Sequence, residues 1–420
     1  MPKKLASDSV VFGAAPEVAP IRSWQIAALS FAACGAAMHS GVGALVAMPV
    51  VATVIWALSR LHRHAPSVPS TCDLVGSTLG VRAAGTAAVV QLVAYALLAV
   101  AAARTVGLLG LSGQSDLTAA MSGWWWPALS VAALATAGML EWSLPTRVVA
   151  MLVAVLAAAG LLVYFYLALA VLAKVLSGTA AVQIGSPAWT SVPAGGTIII
   201  FLGLATVAFE APTTAADQLR SVAVPLGWSV GAAGAIAALL LVATNLGAAG
   251  GFRLDATDFG LIVPDMFGHS GFVWVIMGGA ALWAAALLAL TWAVLRVARR
   301  LTGEETATTM ATLALLAILT VALCRNSGTS DKLVAAMLLV VLYVFVAEAN
   351  SRLPGAETAA RMCRVLWPVL LVVVVLFPLR DAEFAASALW PVVITALVVG
   401  IAASLSAIAL RQGPPPRQPR

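Results

Sequence analysis

Ionisable side chains are rare within the apolar runs of this sequence, and Glu210 is the one best placed to do chemistry. It stands at the end of an apolar run, and Pro212 follows it, so a carboxyl group lies beside a point where a helix must break. A partly buried carboxyl group holds its proton more tightly than an exposed one, which suits it to exchange a proton near neutral pH. The sequence therefore predicts that Glu210 is a proton-exchanging acid.

A second candidate is the segment Met38-His39-Ser40-Gly41-Val42, which lies in an earlier apolar run that contains several glycines. Glycine weakens a helix, so we expect this segment to be partly unwound. The free N–H groups of an unwound segment beside a half-helix N-terminus favour a carboxylate, and the free carbonyls of the other half favour an ammonium group. An amino acid presents both charges on one carbon, which makes it the expected ligand.

The elements that must position these residues are membrane helices. The 420-residue chain is 62% hydrophobic and 10% charged, with a mean hydropathy of +1.01, whereas a soluble domain carries roughly 25% charged residues. A membrane helix needs about 20 apolar residues. We predict twelve spans, near 24–39, 41–59, 84–111, 124–141, 147–175, 194–212, 222–249, 270–298, 307–325, 333–350, 362–379 and 386–410.

Basic residues orient these spans, because Lys and Arg favour the cytoplasmic side of a membrane. With the N-terminus inside, 17 of the 23 Lys and Arg residues lie on the cytoplasmic side and 6 lie on the other. This bias predicts that both the tail 1–22 and a disordered tail 412–420 are cytoplasmic. The basic residues occur one or two at a time rather than in a patch, so we do not expect nucleic-acid binding.

The two interrupted apolar runs lie five spans apart, as first and sixth helices. Transporters built from inverted repeats place their binding site where two helices are broken at corresponding positions of the halves. The spacing favours a five-plus-five inverted repeat. We predict a transmembrane domain over 23–411, with repeat 1 at about 23–176, repeat 2 at about 193–350 and two extra helices at about 361–411.

Three segments carry a resemblance to a known family. FLGLATVAFEAPTTAADQLRSVAVPLGWSV at 201–230 resembles a sixth helix and the loop that follows it, and 57–85 is similar to the loop after a second helix. LLALTWAVLRVARRLTG at 287–303 resembles the end of an eighth helix. On these segments the chain is identified as a divergent member of the amino acid–polyamine–organocation (APC) superfamily of permeases.

The resemblance implies an all-α polytopic fold of about 12 transmembrane helices, with a LeuT-like five-plus-five inverted-repeat core and two C-terminal helices. It implies that Glu210 is a coupling or gating acid. It implies a substrate site formed by Met38, His39, Ser40, Gly41, Val42, Ala205, Thr206, Ala208 and Phe209.

The expected function is movement of an amino acid or related organic amine across the cell membrane by alternating access, coupled to a proton or another ion. We expect membrane lipid as a partner, no metal and no tightly bound cofactor. One alternative is a non-transporting sensor or scaffold that kept the fold, and another is a transporter of a different small solute. An enzyme is not expected, because its clustered acids, histidines or arginines are absent from these short loops.

Several other residues receive structural interpretations. Arg104 is expected to extend to the membrane interface, and Trp124-Trp125-Trp126 to form an interfacial aromatic belt. Gln91 and Tyr95 are expected to pack inside the helix bundle. The four cysteines lack metal or disulfide spacing, so we interpret them as small apolar side chains.

Overall fold

The structure is a computed structural model that describes residues 28–29, 42–65, 70–112, 121–178, 231–232, 234–246, 259–302, 306–325, 330–355, 358–376 and 382–411. Within these ranges the backbone is almost entirely helical, and no strand occurs. A helix satisfies its own backbone hydrogen bonds, which a lipid environment requires. The all-α prediction is therefore confirmed for the described residues.

The described residues form eleven helices of nine residues or more. They are α1 (Val42–His64), α2 (Thr71–Leu79), α3 (Val81–Leu111), α4 (Trp125–Ser143), α5 (Thr146–Leu176), α6 (Gly234–Leu246), α7 (Phe259–Thr302), α8 (Thr306–Arg325), α9 (Ser330–Ser351), α10 (Thr358–Leu376) and α11 (Ala382–Arg411).

Six of these helices, namely α3, α5, α7, α8, α9 and α11, are long and apolar enough to cross a membrane. Helices α3 to α5 and α8 to α11 begin and end within four residues of their predicted spans. The count of twelve spans and the bounds of the two repeats stay predictions.

Helix α3 lies at the centre of the bundle, where it contacts α2, α4, α7, α8, α9 and α11. In the most apolar stretch of α3 and of α9, 72% of the residues are buried, compared with 22% in α8 and in α11. Helices α8 and α11 therefore lie at the periphery and present most of their apolar surface to the surroundings.

Helix α2 was not expected from the sequence, which predicted a loop between the second and third spans. Ser70 caps α2, because its hydroxyl accepts a hydrogen bond from the backbone N–H of Asp73 at 3.1 Å. Gly80 then turns the chain into α3 with φ of 90°, a conformation that favours glycine. The polar sequence of the predicted loop thus encodes a capped helix of nine residues.

Helix α7 begins eleven residues before its predicted span at 270–298, and it is kinked. The kink is at Gly268, where φ is 65° and ψ is −151°. Lys174 at the end of α5 donates a hydrogen bond to the Met266 carbonyl, and its ammonium lies 4.4 Å from the centre of the Phe267 ring. The segment of α7 before Gly268 is therefore attached to α5 rather than continuing the axis of the long helix.

Close contact between α5 and α7 depends on small residues. A Cβ atom at Gly160 would lie 2.5 Å from Leu282 Cγ and 2.8 Å from the carbonyl oxygen of Gly278. Small residues let two membrane helices approach closely, which increases the dispersion contacts between them. The approach of α5 to α7 therefore requires glycine at position 160.

Candidate functional site

Most of the predicted binding residues lie outside the described residues. Met38, His39, Ser40, Gly41, Ala205, Thr206, Ala208, Phe209 and Glu210 all do. Val42 is the first residue of α1, and so the segment 38–42 ends where that helix begins. The substrate site and the role of Glu210 stay predictions.

A buried hydrogen bond joins α2 to α3. Gln91 is fully buried, and Cys72 Sγ donates a hydrogen bond to Gln91 Oε1 at 2.6 Å. Tyr95 lies one turn further along α3 and is 1% exposed. The expectation that Gln91 and Tyr95 pack inside the bundle is confirmed. Cys72, Cys324 and Cys363 are buried free thiols, and two of them, Cys72 and Cys324, also donate hydrogen bonds, which their interpretation as small apolar side chains did not include.

A buried ion pair links α3 to α9 near one end of the bundle. Arg104 Nη1 lies 2.6 Å from Asp331 Oδ2, and the two side chains are only 11% and 2% exposed. Lys332 is the next residue, and Asp331 attracts its ammonium group. We call this part of the bundle the Arg104 end. A charge pair inside a membrane protein is expensive to bury, so it indicates a structural or functional role.

Arg104 and Trp126 differ from their predicted roles at the membrane interface. Trp126 is 5% exposed, donates from its indole N–H to the Arg104 carbonyl at 2.9 Å, and lies 5.3 Å from the Arg104 guanidinium. Asp331 explains the difference, because a long basic side chain need not reach water once a carboxylate lies within its reach. Of the three tryptophans in this run, Trp124 and Trp125 are 66% and 68% exposed, as expected for an interfacial belt.

Small side chains bring α4 and α8 close to this ion pair. A Cβ atom at Gly107 on α3 would lie 2.3 Å from Ser130 Oγ and 2.9 Å from the Ser130 backbone nitrogen on α4. Cys324 Sγ on α8 donates to the same Ser130 hydroxyl at 3.8 Å. Four helices, α3, α4, α8 and α9, therefore meet at the Arg104 end through polar or close contacts.

A second polar assembly lies toward the start of α3, and we call this part of the bundle the Arg300 end. Asp73 on α2 lies near Arg300 at the end of α7, and the Ser70 hydroxyl donates to its carboxylate at 2.8 Å. Burial is the main effect on Asp73 and raises the pKa of its carboxyl group. The Ser70 hydrogen bond and the Arg300 charge act in the opposite direction. Cys72, the residue before Asp73, hydrogen-bonds Gln91, and Gln91 lies 13 residues before Arg104 on α3, a separation of roughly 20 Å along the helix.

Other helices join the Arg300 end through arginine. Arg299 Nε on α7 donates to Thr309 Oγ1 on α8 at 2.9 Å, and Glu141 at the end of α4 lies close to Arg299. Glu348 on α9 accepts from Arg352 Nε at 2.9 Å and from Arg364 Nε on α10 at 2.6 Å. These helices therefore alternate in direction between two polar ends, as the predicted order of spans requires.

Asp331 is the residue at the Arg104 end that sequence reasoning missed. It opens an apolar helix on the side where the sequence predicts α3 to end, so the predicted topology places it at the same end of the bundle as Arg104, although no local pattern pairs the two. Among the described residues, no three His, Cys, Asp or Glu side chains come close enough to hold a metal ion.

Comparison with known proteins supports the fold. No protein-family model matches the sequence, and no curated protein matches it. The chain is similar to the crystal structure of MhsT in complex with L-phenylalanine, with 14% sequence identity and a TM-score of 0.57. The match covers 86% of this chain and 99% of the MhsT chain.

Together, the apolar helices and the likeness to MhsT define a multi-pass membrane protein with the LeuT-like fold that the sequence predicts. Membership of the APC superfamily stays a resemblance. The orientation of the two ends of the bundle in the membrane stays a prediction.

Proposed function

We propose that the chain is a secondary transporter that moves an amino acid or related organic amine across the cell membrane by alternating access. The observation that carries this proposal is the likeness to MhsT over 86% of the chain, because MhsT was solved in complex with an amino acid. In the proposal, the segments around 38–42 and 205–210 bind the substrate, and Glu210 couples its movement to a proton.

The two polar ends of the bundle support this proposal. Alternating access requires a pathway that closes at one end while it opens at the other. Arg104 and Asp331 join helices at one end, and Asp73 and Arg300 lie together at the other. Switching proteins repack ion pairs of this kind when their domains move between two conformations.

Uptake into proteoliposomes tests the proposal. A panel of labelled amino acids, including L-phenylalanine, and of organic amines is offered with and without an inward proton gradient. The comparison includes Glu210→Gln and a matched control, Asp265→Asn, which removes an exposed carboxylate from α7. We expect the gradient to drive accumulation of at least one solute, and we expect only Glu210→Gln to abolish it.

Two results would contradict parts of the proposal. Uptake that Glu210→Gln leaves unchanged would exclude this residue as the coupling acid. Absence of uptake for every solute, by protein that is shown to be folded, would exclude amino acid transport and favour a sensor, a scaffold or a different solute class.

A further inference from the structure

A groove runs along the outer surface of the bundle between α4 and α8. Its larger part has a volume of about 640 Å³ and is lined by Val131 of α4 and by Ala317, Ile318, Val321, Ala322 and Arg325 of α8. A second part of about 220 Å³ shares Val131 and Ala317 with the first and continues toward Trp142 and Met310. Arg325 is the only charged residue in this lining, and it closes the groove at the Arg104 end.

The tryptophans of α4 show where the membrane interface crosses this groove. Trp125 and Trp142 are 68% and 47% exposed, and they lie 17 residues apart near the two ends of α4. That separation corresponds to about 26 Å along a helix, close to the hydrocarbon thickness of about 30 Å. Exposed tryptophans favour the headgroup level of a bilayer. The groove therefore runs through the hydrocarbon region.

The larger part of the groove matches the depth of one leaflet. Ala317 and Arg325 are separated by eight residues of α8, or about 12 Å, and half of the hydrocarbon region is about 15 Å thick. Arg325 thus lies at headgroup level, and the apolar residues extend inward from it. An acyl chain that hangs from a headgroup has this same arrangement.

Arg325 offers a positive charge to a ligand from outside the chain. Its guanidinium is exposed and stacks 3.9 Å from the centre of the Trp124 ring. Among the residues that the structure describes, no carboxylate pairs with it. A guanidinium that is held over an aromatic ring presents its N–H groups in a fixed plane, which suits two-point binding of a phosphate.

We propose that this groove binds an anionic phospholipid, with one acyl chain between α4 and α8 and the headgroup phosphate on Arg325. A second copy of the chain fits the groove less well. The described lengths of α4 and α8 contain one acidic residue, Glu141, which is 8% exposed and lies near Arg296 and Arg299. Neither helix therefore offers an exposed carboxylate to Arg325 of another copy.

Native mass spectrometry of the purified protein tests the proposal by counting bound lipids. The probes are phosphatidylglycerol and phosphatidylcholine with the same acyl chains. The variants are Arg325→Gln, Ala322→Phe and the control Arg147→Gln, which removes an exposed arginine at the start of α5. Ala322 is exposed in the groove, so phenylalanine at this position fills the space for the acyl chain without entering the core.

We expect the unmodified protein to retain phosphatidylglycerol more tightly than phosphatidylcholine at one site. One arginine at headgroup level contributes about 1 kcal/mol of attraction to an anionic lipid, so Arg325→Gln should reduce this preference about fivefold. Ala322→Phe should weaken the binding of both lipids at that site, because it blocks the chain rather than the phosphate. Arg147→Gln should leave the preference unchanged.

Three outcomes would overturn the proposal. They are equal retention of the two lipids by the unmodified protein, an equal loss of preference in Arg325→Gln and Arg147→Gln, and disulfide-linked dimers of Ala322→Cys in a membrane without anionic lipid. The last result would assign the groove to a second copy of the chain. None of these measurements depends on whether the protein transports a solute.

Discussion

Replacing Asp331 with asparagine should destabilise the bundle far more than removing an exposed charge does. Asp331 Oδ2 lies 2.6 Å from Arg104 Nη1 in a site where both side chains are almost fully buried. At this distance and an effective dielectric constant of about 20, two unit charges attract each other by about 6 kcal/mol, and desolvation of both groups opposes this attraction. Removing one partner of such a pair leaves the other charge buried and costs about 3–5 kcal/mol.

The two single substitutions should differ in size. Asp331→Asn leaves both Arg104 and Lys332 positive at the Arg104 end, whereas Arg104→Gln leaves Asp331 beside the ammonium of Lys332. We therefore expect Asp331→Asn to cost more than Arg104→Gln. The double variant removes both charges of the pair, so neither is left buried without its partner. Its cost should therefore be well below the sum of the two single costs.

The free energy of unfolding, measured by titration from detergent micelles into a denaturing detergent, gives the four values of this cycle. Arg352→Gln is the matched control, because Arg352 pairs with Glu348 at 2.9 Å while its side chain is 59% exposed. An exposed pair contributes about 0–1 kcal/mol. The reasoning is refuted if Asp331→Asn costs no more than Arg352→Gln, or if the double variant costs the sum of the singles.

Two further predictions concern packing and pH. Gly160→Ala should cost about 1–3 kcal/mol in the same unfolding assay, because the new Cβ meets the Gly278 carbonyl, whereas Gly400→Ala meets open space and should stabilise α11 by up to about 1 kcal/mol. If the two substitutions changed the free energy of unfolding equally, the close contact at Gly160 would be contradicted. Burial raises the pKa of Asp73 above its ordinary value of 3.8, so the folded state holds this proton more tightly than the unfolded chain. The stability that this group contributes should then fall as the pH rises from about 4, and Asp73→Asn should remove that fall. The measurement is the free energy of unfolding at several pH values, and the same dependence on pH in both proteins would refute the prediction.

The membrane helices were predictable because hydropathy and length determine where a chain can cross a bilayer. Seven helices, α3 to α5 and α8 to α11, lie within four residues of the predicted spans. An apolar run of this length is compatible with few structures other than a membrane helix. Helix α2 was missed because its signals are local: Ser70 as a cap and Gly80 as the following turn enclose only nine residues.

Side-chain partners were harder to predict than helices. Arg104 and Asp331 are 227 residues apart, and no local pattern joins them. The same sequence position that predicts an arginine at the membrane interface also allows an arginine buried in an ion pair. The choice depends on whether a carboxylate of another helix lies within reach. Trp126 illustrates the same point, because its buried indole follows from its contact with Arg104 rather than from its place in a run of tryptophans.

Only a few contacts determine which helices become neighbours in this bundle. Lipid is as apolar as the helix surfaces, so most apolar contacts between helices can be replaced by contacts with lipid. Burying a leucine against another helix removes it from hydrocarbon rather than from water, so apolar burial by itself gives little preference for one neighbour over another. Close approach at glycine and polar contacts across helices supply that preference. Gly160 and Gly107 allow pairs of helices to approach closely, and the Arg104–Asp331 pair joins α3 to α9. A substitution at any of these positions should therefore change which helices pack together before it changes whether they are helical.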